Sequence, residues 1–312
     1  MNRRELLSIA AAAGAAAIAS PTRAADFPTL RIGTIPSESM AGVFYAEDRG
    51  FFARHGLTVS FQTATGGAAV GAAIIGGDLD VGTSDPVTTC IAHDKGIPFV
   101  EIAPGITHSV THPTLALVVK DPSLRTAKDF NGKTLACNVP NGYGFLLADA
   151  WIDNNGGDSK TVKWVGLPFP ALAAALDRGT IDAYIAPEPF VTAGLQLGAK
   201  VVSMDKNPLA PRLLESAYFT TRDFVAKNPA LMRAFVAAVL EAHVWANQNP
   251  AASDEILSKY DKMPLSVMHG LSMRAQYLER FDLSTLQPLI EGCAKYGLIS
   301  KPFPARDIVA IL

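Results

Sequence analysis

Four short stretches hold the residues best suited to chemistry, and each leads into a segment that reads as a helix: 36–40, 65–67, 83–86 and 141–145. A helix start presents N–H groups without intrahelical partners and a partial positive charge. Such stretches hold a carboxylate, sulfonate or nitrate without lysine or arginine. Ser37, Ser39, Thr65, Ser84 and Asn141 add hydroxyl or amide groups there, and Met40 closes the first stretch. Gly66 and Gly67 allow close backbone approach to a small ligand. Tyr143, Phe145 and Phe169 supply flat apolar walls. The same polar residues also fit as caps of their own helices, and the aromatics as core.

Acidic residues pull the other way. Glu38, Asp85 and Glu188 sit in or beside these stretches, which carry no lysine or arginine. That balance is a poor trap for a bare inorganic oxyanion and a better one for a ligand bearing N–H or protonated nitrogen. Glu188 also fits a structural role at a hinge. Asp80 and Asp182 read as hydrogen-bonding residues of turns or strand edges.

Other chemistries find less support. Gly66-Gly67 lacks the spacing of a phosphate-binding loop. His108 and His112 are four apart but sit among Gly105, Thr, Ser and Pro113, which indicate loop, and no carboxylate or cysteine completes a zinc set. No nucleophile with a suitably spaced base is visible. Cys90, Cys137 and Cys293 lie among apolar or small residues, as buried packing does. No cofactor is expected, and no catalytic residue.

What must position these loops is a duplicated framework. LRIGTIPSESMAGVFYAEDRGFF (30–52) parallels TLACNVPNGYGFLLADAWIDNNG (134–156), and GGDLDVGTSDPVTTCIAHDKGIPFV (76–100) parallels RGTIDAYIAPEPFVTAGLQLGAKVV (178–202). Each half reads as strand, loop, helix, strand, loop, helix, strand. Strands alternating with helices fold as parallel βαβ units, so two copies predict two α/β lobes with a ligand cleft outside their strand ends. The expected boundaries are 25–117 plus 220–312 for lobe 1 and 118–219 for lobe 2. Segments 115–121 and 217–224 are the expected crossings, and two crossings make a hinge. The tail reads as helices over 229–247, 251–260, 265–275 and 284–296, packing back onto lobe 1, with Leu231, Phe235, Val239 and His243 on one apolar face.

The chain has 312 residues, 49% hydrophobic and 18% charged, enough for a full core in two domains. Residues 1–24 have a basic start at Arg3 and Arg4, an apolar stretch and a helix-breaking Pro21, the pattern of an export signal cleaved near Ala24 or Ala25. The paired arginines lean toward the twin-arginine route. Removing 1–24 takes three arginines and one glutamate from 27 basic and 29 acidic residues, leaving 24 against 28, a net charge of −4. Nucleic acid is therefore not an expected partner.

The ordered series IPSESMAGVFYAEDRGFFARHGLTVSF, AAIIGGDLDVGTS, DFNGKTLA and ALDRGTIDAYIAPEPF resembles the periplasmic solute-binding proteins of nitrate, sulfonate, taurine and pyrimidine importers, over roughly 29–300. The resemblance implies a two-lobed periplasmic-binding-protein fold of class II, each lobe a mixed sheet flanked by helices. It also implies a monomeric ligand-binding subunit that delivers a sulfonate, taurine-like, pyrimidine-like or aromatic or amide-bearing acid to an ABC permease and its ATPase. The same fold also occurs in thiamine-pyrimidine synthases and menaquinone-pathway enzymes, so the alternative readings are an enzyme on this fold or a ligand sensor for a membrane receptor. The pyrimidine synthases would call for a cysteine-rich run and iron-binding histidines, which this chain lacks.

Overall fold

The computed structural model describes residues 28–202, 204, 209–310 and 312, so the segment read as an export signal lies outside the described residues. Twelve strands are named in chain order: β1 (Leu30–Thr34), β2 (Val59–Thr63), β3 (Val81–Ser84), β4 (Phe99–Pro104), β5 (Thr107–Ser109), β6 (Leu115–Val119), β7 (Thr134–Cys137), β8 (Lys163–Gly166), β9 (Ala183–Pro187), β10 (Lys200–Val202), β11 (Arg212–Leu214) and β12 (Ala217–Thr221).

They form two five-stranded mixed sheets, β2-β1-β3-β12-β4 and β10-β6-β9-β7-β8. Read from the β8 edge, the second sheet repeats the first: β7 stands for β1, β8 for β2, β9 for β3 and β10 for β4. In each, one strand from the far side of the chain, β12 or β6, inserts antiparallel beside the third. The duplicated sequence thus becomes a duplicated topology. The repeated aspartates do the same job in both copies. Asp80 accepts the Arg31 backbone N–H at 2.8 Å and Asp182 that of Thr134 at 2.7 Å, and each returns its own N–H to the same partner's carbonyl. Each aspartate pins the entry of a third strand to its first.

Several expected boundaries move. The first helix is broken into a 3-10 turn (Glu38–Met40), Gly42–Asp48 and Phe51–Arg54, because Gly50 takes a left-handed φ of 70°. Residues 222–224, the end of an expected crossing, are helical (Arg222–Lys227), started by the Thr221 hydroxyl accepting the Phe224 N–H. Of the expected helix over 265–275 only Leu265–Met268 forms, since the backbone of Ser272 and Met273 bonds to a glutamate instead.

The segments expected as crossings, β6 and β12, are interior to the sheets. The chain passes between lobes one element earlier, where β5 and β11 pair as a separate antiparallel ladder. There Gly105 donates its N–H to Ser216 O at 2.7 Å, and a Cβ on Gly105 would lie 2.9 Å from that same oxygen. Gly105→Ala is therefore expected to cost about 1–3 kcal/mol by forcing two backbones apart; an unchanged urea midpoint would show that the crossing yields freely.

Helix Pro229–Gln248 is long and apolar enough to cross a membrane, yet its Leu231, Phe235, Val239 and His243 are buried among the 42–48 and 51–54 helices, as a core helix requires. The later tail departs from expectation: Leu283–Lys295 packs on Pro86–Asp94 and also on β11 and Tyr143–Asn154, so it clasps both lobes. All three cysteines are buried and free of disulfides.

Candidate functional site

A narrow cavity lies between the lobes where the carboxyl ends of β1, β3, β7 and β9 converge. Its walls include Ile35, Ser39, Met40 and Asp85 from one lobe and Leu115, Cys137, Asn138, Tyr143, Gly144, Phe169, Ile185 and Pro187 from the other, with Glu215 entering from the turn between β11 and β12. The cavity has a free volume of about 40 Å3. The lobes are apposed here: the Glu38 N–H donates across to Glu188 O at 3.1 Å, and Val139 closes over Gly66.

Five polar side chains line the space: Ser39, Asp85, Asn138, Tyr143 and Glu215. Asp85 caps helix Pro86–Asp94, Oδ1 accepting the Thr88 N–H at 3.3 Å, and burial pushes its carboxyl up to about 6 against those backbone bonds. Glu215 accepts from the hydroxyls of Thr114 and Ser39; burial, and secondarily Asp85, pushes it up to about 7. Ser39 also shares a hydrogen bond with Ser37 at 3.2 Å. Tyr143 is 4% exposed, and its hydroxyl finds no partner in the protein. Burial raises the phenol's pKa, and Glu215 and Asp85 add to the rise.

No positive charge answers these groups from the cavity walls, which contain no lysine, arginine or histidine. His108 stands behind Glu215, its Nδ1 accepting the Thr114 N–H at 3.3 Å, and burial pushes its pKa down to about 4, so the ring is neutral. Among the described residues no group of three or more His, Cys, Asp or Glu is placed to hold a metal ion.

Of the fourteen residues singled out from sequence, Ser39, Met40, Asp85, Tyr143 and Phe169 meet in this cavity, whereas Phe145 packs against Trp164. Thr65 is exposed and lines a neighbouring opening that shares Ile35 and Phe169. Gly67 lies against the Ser84 hydroxyl, which is buried and unpartnered. Ser37 sits behind Ser39. Asn141 is exposed, with a left-handed φ of 66° at the turn before Tyr143.

The two other acidic candidates turn away. Glu38 is buried toward Arg274 and the Ala275 backbone, and burial pushes it up to about 8. Glu188 is fully buried, its carboxylate accepting from Thr192 N (3.0 Å), Thr192 Oγ1 (2.9 Å), Ser272 N (2.9 Å), Ser272 Oγ (2.7 Å) and Met273 N (3.2 Å). Its reach is to the 270–273 loop, and it is absent from the cavity wall.

Glu215 is not among the residues singled out from sequence, because it lies between two strands and starts no helix. The available signal was position: a glutamate at the edge of a segment returning between lobes must border the cleft.

The model of a protein family described as NMT1/THI5 like matches residues 37–253. The chain is 29% identical over 177 residues to the bicarbonate transport ATP-binding protein CmpC of Synechocystis sp., covering 52% of this chain and 26% of that one. It is 27% identical over 308 residues to the nitrate/nitrite binding protein NrtA of Synechococcus elongatus, covering 89% of this chain and 66% of that one. It therefore spans less than two thirds of either relative. The crystal structure of the periplasmic aliphatic sulphonate binding protein SsuA from Escherichia coli superposes with a TM-score of 0.74 at 19% identity, covering 92% of this chain and 94% of that one. That likeness shows the fold, two α/β lobes of the periplasmic-binding-protein type.

Proposed function

This chain belongs to the NMT1/THI5-like family, and from that premise we propose that it is the exported, monomeric ligand-binding subunit of an ABC importer. It takes a small polar organic ligand between its lobes and presents the closed form to a membrane permease with its ATPase. The observation that carries this reading is the cavity at the lobe junction, with polar groups from both lobes converging on one small space. The proposed ligand contacts are Ser39, Met40, Asp85, Tyr143 and Phe169, together with Glu215. Ligand bridging both lobes stabilises the closed population, because only that form offers both sets of contacts. The β5–β11 ladder is the part of the chain about which the lobes would turn.

The test is small-angle scattering of the purified protein with and without saturating nitrate, ethanesulfonate, taurine, a pyrimidine and ethylammonium, alongside thermal shift. A smaller radius of gyration and a raised melting temperature with one chemical class are expected. Neither change with any of them would count against the reading.

Tyr143→Phe should separate binding from folding. The buried hydroxyl has no partner in the unliganded protein, so its removal is expected to leave stability unchanged or raise it by about 1 kcal/mol. A ligand bonded to that hydroxyl would lose roughly five- to tenfold in affinity. Loss of stability without loss of affinity would take Tyr143 out of the contact set.

A further inference from the structure

We propose that the cavity is built for a small organic cation, whose ammonium or amidinium group sits between the carboxyl groups of Asp85 and Glu215 and bonds to the Tyr143 hydroxyl. This rests on the binding-protein reading above and departs from the anions in the names of the matched relatives.

The polar groups of the wall point this way together. The polar wall is two carboxyl groups, Asp85 and Glu215, with the hydroxyls of Ser39 and Tyr143 and the amide of Asn138, and no cationic side chain among them. A carboxylate accepts at up to about four lone-pair positions. Glu215 uses some on Thr114 and Ser39, and Asp85 some on the start of its own helix, which leaves capacity on both. The Tyr143 hydroxyl, 4% exposed and unpartnered, completes the set with an acceptor and a donor that nothing in the protein uses. A planar amidinium or a three-donor ammonium supplies several N–H groups to these acceptors at once, and its charge balances a carboxylate pair. An oxyanion in the same space would face two carboxyl groups with no counter-charge.

The remainder of the wall sets the body of the ligand. Ile35, Met40, Leu115, Phe169, Ile185 and Pro187 are apolar, so a short alkyl group packs there while the nitrogen meets the acidic end. The narrowness of the cavity favours a short body. A divalent metal fits less well, since no group of three ligating residues is assembled among the described residues.

Proton competition follows from the same geometry. Glu215 is faced by Asp85 and Tyr143, with neutral His108 behind it, and Asp85 lies near buried Glu101. With Glu215 up to about 7 and Asp85 up to about 6, a cation must displace protons at low pH. Affinity should rise roughly tenfold between about pH 6 and pH 8.

The experiment is titration calorimetry of the purified full chain at about pH 8 with ethylammonium, acetamidinium, ethanesulfonate, taurine and nitrate, with scattering on the same samples. A cation is expected to bind and compact the protein. Glu215→Gln and Asp85→Asn, the latter still able to cap its helix, are each expected to weaken it at least about tenfold and to flatten the pH dependence. Equal binding of the cation by both variants, with native melting behaviour, would overturn the proposal by placing the cation elsewhere. Binding and compaction by ethanesulfonate or nitrate in preference to the cations and taurine would overturn it too, while leaving the importer reading intact. No binding or compaction by any of the five would bring down both.

Discussion

Raising the pH from about 6.5 to about 8 should lower the melting temperature of the unliganded protein by about 5 °C or more. Burial pushes the carboxyls of Glu38 and Glu101 up to about 8 and those of Glu215 and Asp149 up to about 7. In the unfolded chain all four ionise near the ordinary carboxylate value of about 4. Across this window the native state therefore holds protons that the unfolded state has already released, and stability falls as pH rises.

His108 and His243 act in the opposite sense, because burial pushes both down to about 4 and the unfolded chain charges them near the usual histidine value. Their effect is confined mostly below about pH 6.5, which is why the window starts there. A tenfold difference in proton affinity between the folded and unfolded chain is worth about 1.4 kcal/mol. On that scale the carboxyls together contribute a loss of roughly 4 kcal/mol across the window. For a chain of this size that corresponds to about 5–10 °C.

Glu101 is the best single control. One of its oxygens accepts from the Thr89 hydroxyl at 2.7 Å, and the other is buried without a partner. Glu101→Gln keeps the shape and removes the titration, so it should flatten the slope measurably in calorimetry at matched ionic strength. A melting temperature that rises or stays level over the window would mean that these carboxyls are ionised in the native protein.

Glu188→Ala should be the most damaging substitution away from the hydrophobic core, costing about 3–5 kcal/mol in urea unfolding. Five hydrogen bonds converge on this carboxylate, and three of the donors are backbone N–H groups, of Thr192, Ser272 and Met273. Without an acceptor they are left unsatisfied in a site closed to water. Each such group costs about 1–3 kcal/mol, less whatever the loop recovers by moving. Since the 270–273 loop is held to the end of β9 mainly through this residue, its amides should also exchange faster. Glu188→Gln retains one acceptor oxygen and turns an NH2 toward donors, so a smaller loss of roughly 1–3 kcal/mol is expected. An alanine variant as stable as the parent would show that the loop is held by other contacts, such as those of Met273 in the apolar cluster beside it.

Sequence by itself determined the framework. Strand and helix periodicity, the glycines and prolines between elements, and the recurrence of Gly77 and Asp80 as Gly179 and Asp182 are local patterns, and local patterns survive without knowledge of what packs on them. The paired sheets and the matching aspartate contacts follow from them. Four helix-starting loops were legible as candidates for the same reason.

Tertiary structure alone decided which side chains of those loops face one another. Ser37 and Ser39 share a single 3-10 turn, yet one lies behind and the other lines the cavity. Glu188 and Asp85 both follow the third strand of their sheet, but only Glu188 meets a loop like 270–273, which draws its carboxylate away from the cleft. Glu215 joins Asp85 and Tyr143 from far along the chain, through a crossing whose placement depends on pairing between β5 and β11. Side-chain direction at such points is set by long-range packing and backbone hydrogen bonding between distant segments, and neither leaves a periodic trace in the sequence.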